Sequence, residues 1–161
     1  MEAVFGWWLA AIAIFGLQFF LQRRVFAGLR LLETRLFGYT VKDAQDLLSR
    51  LGKSGRMQYA WFQGLDLALI FALTQAMLAM QQIGSRGISD SPLRFAPVLP
   101  VAYAATDAGE DVALLALIAA FPGRLVAVIR IASRITSMKF ALLGTSFIAS
   151  LLVAVWRSSK P

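Results

Sequence analysis

Residues Pro97 to Phe121 read PVLPVAYAATDAGEDVALLALIAAF, an apolar run with Asp107, Glu110 and Asp111 in its middle. At a helical rise of roughly 1.5 Å per residue the stretch covers about 37 Å, enough to cross a hydrocarbon layer of about 30 Å. Asp107 then lies about 15 Å in, near the midplane. One acid at the centre of a membrane helix costs roughly 2.5 to 3.5 kcal/mol, so three oppose insertion by on the order of 7 to 10 kcal/mol. Such a segment needs partner helices, a watery cavity or protons. On a wheel of about 100° per residue, Tyr103, Asp107, Glu110, Asp111 and Leu114 share one face, which is expected to point into a bundle. Three carboxyls within about one turn cannot all be ionised in a low dielectric and should titrate as a set. The competing reading is a structural polar knot that only fixes helix order.

Composition agrees with a membrane setting. The chain has 161 residues, is 58% hydrophobic and only 16% charged, and its size suits one small bundle, a single membrane domain over 1–161. It contains no Cys, His or Asn. That excludes disulfides, thiolate or imidazole metal sites, Cys or His catalysis and N-glycosylation, and no metal or other cofactor is expected. The net charge of +7 sits beside apolar segments rather than on an aromatic-bearing soluble face, so it reads as a topology signal and not as nucleic-acid binding.

Around the central stretch the pattern gives three more spans. Ala3 to Leu21 is apolar apart from Gln18 and is followed by Arg23 and Arg24; the first helix is placed at about 3–22. No positive segment precedes this run and no small-x-small site follows it, so a cleaved signal is not expected. Gln58 to Met80 contains Asp66, with Tyr59 and Gln63 on the same face; the second helix is placed at about 58–81. Gly84, Gly87, Ser89, Asp90, Ser91 and Pro92 mark a turn before the third helix, 97–121. Pro122 and Gly123 end it, and a fourth helix runs over about 125–156. On that helix Thr136, Lys139, Ser146 and Ser150 form a polar stripe, with Arg130 and Arg134 on the far side as headgroup anchors. Lys139 is the natural counter-ion for the acids. It reaches them if the helix begins near Leu125 and lies at the interface if the helix begins at Lys139 itself.

The long first loop is polar and basic. Within it Thr40 and Asp43 resemble a capping box, and Val41, Ala44, Leu47, Leu48 and Leu51 repeat at helical spacing before Gly52. A short amphipathic cytoplasmic helix at about 41–51, lying on the bundle or on the membrane surface, is expected. The two loops 22–57 and 122–139 carry twelve Lys or Arg, against four elsewhere. The positive-inside rule therefore puts both in the cytoplasm and both termini outside.

These residues carry a resemblance. Asp66, the Asp107-x-x-Glu110-Asp111 run, Thr136-x-x-Lys139, Gly38-Tyr39-Thr40 and the later Leu51-Gly52 and Gly55-Arg56 are similar to a group of small bacterial four-helix integral membrane proteins. The likeness covers roughly residues 30 to 150. It implies an all-α four-transmembrane-helix bundle in the bacterial cytoplasmic membrane and a shared polar constellation, and it assigns no activity.

Three functions stay open. Asp66, Asp107, Glu110, Asp111 and Lys139, with Tyr59, Gln63, Tyr103 and Thr136, would line a cavity for a lipid or a small amphipathic or cationic ligand, moved with proton coupling. The same groups could instead do acid-base chemistry on a lipid or isoprenoid, with metal-assisted hydrolysis on an all-oxygen Mg²⁺ or Ca²⁺ site as a variant that the nearby Lys opposes. In the third reading the chain is a subunit or assembly factor whose charges set helix register, with a second copy or a membrane complex as partner.

Overall fold

The computed structural model describes residues 2–26, 28–84, 92–123 and 125–158. Most of them are helical, with no strand among them. Four long helices follow in order: α1 (Glu2–Val25), α2 (Val41–Gly84), α3 (Val98–Ala120) and α4 (Val126–Ser158). Short 3-10 turns occupy Leu32–Thr34 and Pro92–Phe95. Part of the turn expected before α3, residues 85–91, lies outside the described residues.

The expected helix ends differ from the observed ones by a few residues, except in α2. Thr40 caps α2 as expected: its hydroxyl and amide both donate to Asp43 Oδ2, at 2.7 and 2.8 Å, and the Asp43 amide returns a bond to Thr40 Oγ1. The helix then breaks at Gly52, whose φ of 61° and ψ of −172° lie where glycine alone sits without strain. Instead of leaving a linker, the chain resumes helix immediately, so the second long helix begins well before residue 58. Arg56 secures the joint, donating to the carbonyl of Leu48 at 3.0 Å and stacking its guanidinium over Phe121.

The first segment of α2 packs on the bundle and not on a membrane surface. Ala44, Leu47 and Leu48 bury their stripe in the main core with Phe26, Leu31, Leu32, Tyr59, Phe62, Leu114, Leu117 and Ile129. That core lies at the end of the bundle where the first loop folds in. Gly38 permits the approach: its φ is +77°, and a Cβ there would meet Ser133 Oγ at 2.5 Å and the Ser133 carbonyl at 2.8 Å. The next amide, of Tyr39, accordingly donates to Ser133 Oγ at 2.8 Å.

α2 is the hub of the bundle, packing against α1, α3 and α4, while α3 and α4 pack on each other and α1 rests chiefly on α2. α1, α2 and α4 are each long and apolar enough to cross a membrane. α3 has the length, 23 residues, but carries three acids, and these all face inward. Many outward-facing residues of the helices are large and apolar, among them Ile12, Phe15, Phe71, Val112, Ile131 and Ile148. This is the surface expected of a bundle solvated by lipid tails.

Candidate functional site

The acidic face of α3 meets α4 directly. Tyr103, Asp107, Glu110, Asp111 and Leu114 are all buried, as the wheel requires. Because α4 starts at Val126, Lys139 is about 20 Å along it and level with the acids. Its Nζ lies 2.7 Å from Asp107 Oδ1 and 2.6 Å from Glu110 Oε2. Thr136, one turn earlier, bonds Glu110 Oε1. A lysine held this way is charge-assisted on two sides, and its partners are desolvated with it. Arg130 and Arg134 are exposed on the far side of α4.

α2 contributes Asp66. Carboxylate oxygens of Asp66, Asp107 and Asp111 lie within 4.8 Å of one another, near enough to share a proton or a small cation. Such an all-oxygen group could hold a metal ion without His or Cys, and the Lys139 ammonium on Asp107 opposes a multivalent one. Asp111 is fully buried, and among the described residues its two oxygens have the neighbouring carboxyls of Asp66 and Asp107 beside them and no amide, hydroxyl or ammonium donor. Gln63, also fully buried, bonds to none of the acids, and its amide has no partner among the described residues. The hydroxyl of Tyr103 is turned toward Asp107. Of the α4 stripe, Thr136 and Lys139 join the acids, whereas Ser150 accepts a bond from Gln81 at 2.8 Å and Ser146 bonds its own helix.

Two site residues lie outside the sequence-based set. Gln18 of α1 donates its amide to Asp66 Oδ1 at 3.0 Å. Glu33, in the loop, is buried and accepts a hydrogen bond from the Tyr59 hydroxyl, so Tyr59 serves the loop and not Asp66. Burial raises the Glu33 carboxyl to about 7 against the opposing pull of the Tyr59 hydrogen bond. A lone amide in a long apolar run was a usable signal for Gln18, since a buried amide needs a partner. Glu33 gave none, being one acid in a basic loop without periodicity.

The assembled group holds five carboxyls, Glu33, Asp66, Asp107, Glu110 and Asp111, around the single ammonium of Lys139. Full ionisation would leave a large uncompensated negative charge in the interior, so protons or a cation must complete it. One side is open. A cavity of about 330 Å³ has Gln18, Gln22, Glu33, Asp66, Asp107 and Lys139 on its polar side and Phe15, Phe19, Phe62, Leu69, Leu73, Phe140 and Leu143 on its apolar side. Phe62 also lines a second cavity, of about 380 Å³, with Leu21, Val25, Phe26, Trp61 and Leu65. Chemically, the site can exchange protons among coupled carboxyls, bind a cation, and hold a polar head against an apolar wall. Comparison with protein-family models, with curated proteins and with solved structures finds no match for this chain.

Proposed function

We propose that the chain is a four-span protein of a bacterial cytoplasmic membrane, both termini outside, whose carboxylate and lysine site binds a small amphipathic or cationic ligand. Movement of that ligand is coupled to proton exchange among the acids. The observation that carries this reading is the cavity itself: Asp66, Asp107 and Lys139 border a space of about 330 Å³ whose other walls are aromatic and aliphatic. A purely structural ion cluster gains nothing from such a space, whereas a binding site for a molecule with a polar and an apolar end requires one. Helix α3 fits the fourth span because its acids are sequestered against α2 and α4, which removes most of their cost toward lipid. The basic first loop and the basic start of α4 support the orientation.

Native mass spectrometry of the purified protein with lipids retained tests the reading. A bound small molecule that survives on the wild type and is lost in Glu110→Gln and Asp66→Asn is the expected result. Identical spectra with no adduct in any of the three would overturn it.

The double ion pair of Lys139 favours one further reading, a register device in a structural subunit. Under it, function would follow stability alone across a set of neutralising variants.

A further inference from the structure

The cavity takes its walls from all four helices, α1 and α4 among them. Helix α1 rests chiefly on α2, and Phe15 and Phe19 from α1 line the cavity together with Phe140 and Leu143 from α4; the two α1 rings are also exposed on the outer face of the bundle, so the opening is assigned to the side between α1 and α4. Farther along the same side Trp8 meets Phe147 edge to face, with ring centroids 6.0 Å apart, and joins the two helices there. In a membrane this mouth opens on acyl chains, so an occupant arrives dissolved in hydrocarbon. The inner wall selects the other end of the molecule. Lys139 is already held by two carboxylates and offers an incoming phosphate or carboxylate no free charge. Among the described residues Asp66 accepts a hydrogen bond from the Gln18 amide and lies beside two more carboxyls, Asp107 and Asp111, and the rings of Phe15, Phe19 and Phe62 line the same cavity. Surplus carboxylate next to phenyl rings is the recognition chemistry of an organic ammonium group.

Resting on the binding reading above, we infer that the occupant is a single-chain amphiphile with a cationic ammonium head. Its head sits against Asp66 and its chain leaves between α1 and α4. A bare inorganic cation would leave the apolar rim without a role, and an anionic lipid would add charge of the wrong sign.

The test uses the full chain in phosphatidylcholine nanodiscs, with empty discs as background and four probes: dodecyltrimethylammonium, tetramethylammonium, dodecyl phosphate and dodecanol. Dodecyltrimethylammonium should bind saturably, on the order of tenfold more tightly than each of the other three. Asp66→Asn, which keeps an oxygen for Gln18, should weaken it by on the order of tenfold and leave dodecanol unchanged. If dodecyl phosphate or dodecanol binds as well as the cationic probe, the ammonium assignment is wrong while a binding cavity stands. If tetramethylammonium binds equally well, the lateral chain path is wrong. If none of the four binds, this inference and the binding reading fail together. Should Asp66→Asn fail to fold, the four-probe comparison on the wild type decides alone.

Discussion

Lys139 Nζ stands 2.7 Å from Asp107 Oδ1, joining α4 to α3 in the interior of the bundle. With Glu110 at 2.6 Å on its other side, the ammonium is the single fixed positive charge of an acid-rich cluster. Removing one member of a buried pair costs more than the pair is worth, because the survivor stays desolvated. Lys139→Met should therefore destabilise the protein by about 3 to 5 kcal/mol. Adding Asp107→Asn and Glu110→Gln should recover most of that loss. Thermal unfolding in detergent micelles, read by circular dichroism, checks both statements.

Glu33 sets a pH dependence near neutrality. Its carboxyl has an ordinary value of 4.5 and is lifted to about 7 in the fold by burial. Below pH 4.5 the acid is neutral in both states and stability is full. As pH rises from 4.5 to about 7 the unfolded chain ionises this carboxyl while the folded protein keeps it protonated, and on the order of 3 kcal/mol is lost by the time the folded value is passed. Glu33→Gln should flatten the stability profile between pH 4.5 and 7. Tyr59→Phe, which removes the donor that favours the charged form, should move the fall to higher pH.

Asp43 has the opposite sign. Hydrogen bonds from the Thr40 side chain and amide, with Arg35 at 3.0 Å, hold it down at about 2. Its contribution is present above pH 3.8 and is lost as pH falls toward 2. At neutral pH, Thr40→Val should cost about 1 kcal/mol through the lost cap, and hydrogen exchange should rise in the first turn of α2 before it rises anywhere else.

Gly38→Ala should be severe, since the residue combines a φ of +77° with a methyl position 2.8 Å from a backbone carbonyl. A loss of at least about 2 kcal/mol is expected. Gly38→Ala with Ser133→Ala should not restore it, because the carbonyl contact survives the loss of the hydroxyl. Comparing unfolding midpoints of the two variants decides the point.

Gln18 supplies the hydrogen bond from α1 to the acid cluster. Gln18→Leu should cost about 1 to 3 kcal/mol by stripping Asp66 of its amide partner, and should loosen α1 ahead of the other helices. Amide exchange resolved along α1 measures it.

Much of this arrangement was legible in the residues. Periodicity located α1, α3 and α4 to within a few positions, and the wheel put Asp107, Glu110 and Asp111 on one inward face because burying acids leaves a chain few alternatives. Lys139 followed from charge complementarity, and its depth needed only the start of α4. The α2 joint was harder: Gly52 is a correct stop signal for the helix before it, yet nothing local says that the next residue starts another. Glu33 was out of reach, since its burial depends on Gly38 admitting the loop against α4, a contact between segments far apart in sequence.

That contact also orders biosynthesis. The Tyr39 amide and Ser133 Oγ that seat the first loop are 94 residues apart, so the seat is incomplete until α4 has been synthesised. Until then Leu31, Leu32 and Glu33 have no α4 to cover them, and a nascent chain halted before Ser133 should leave this apolar loop open to chaperones and proteases.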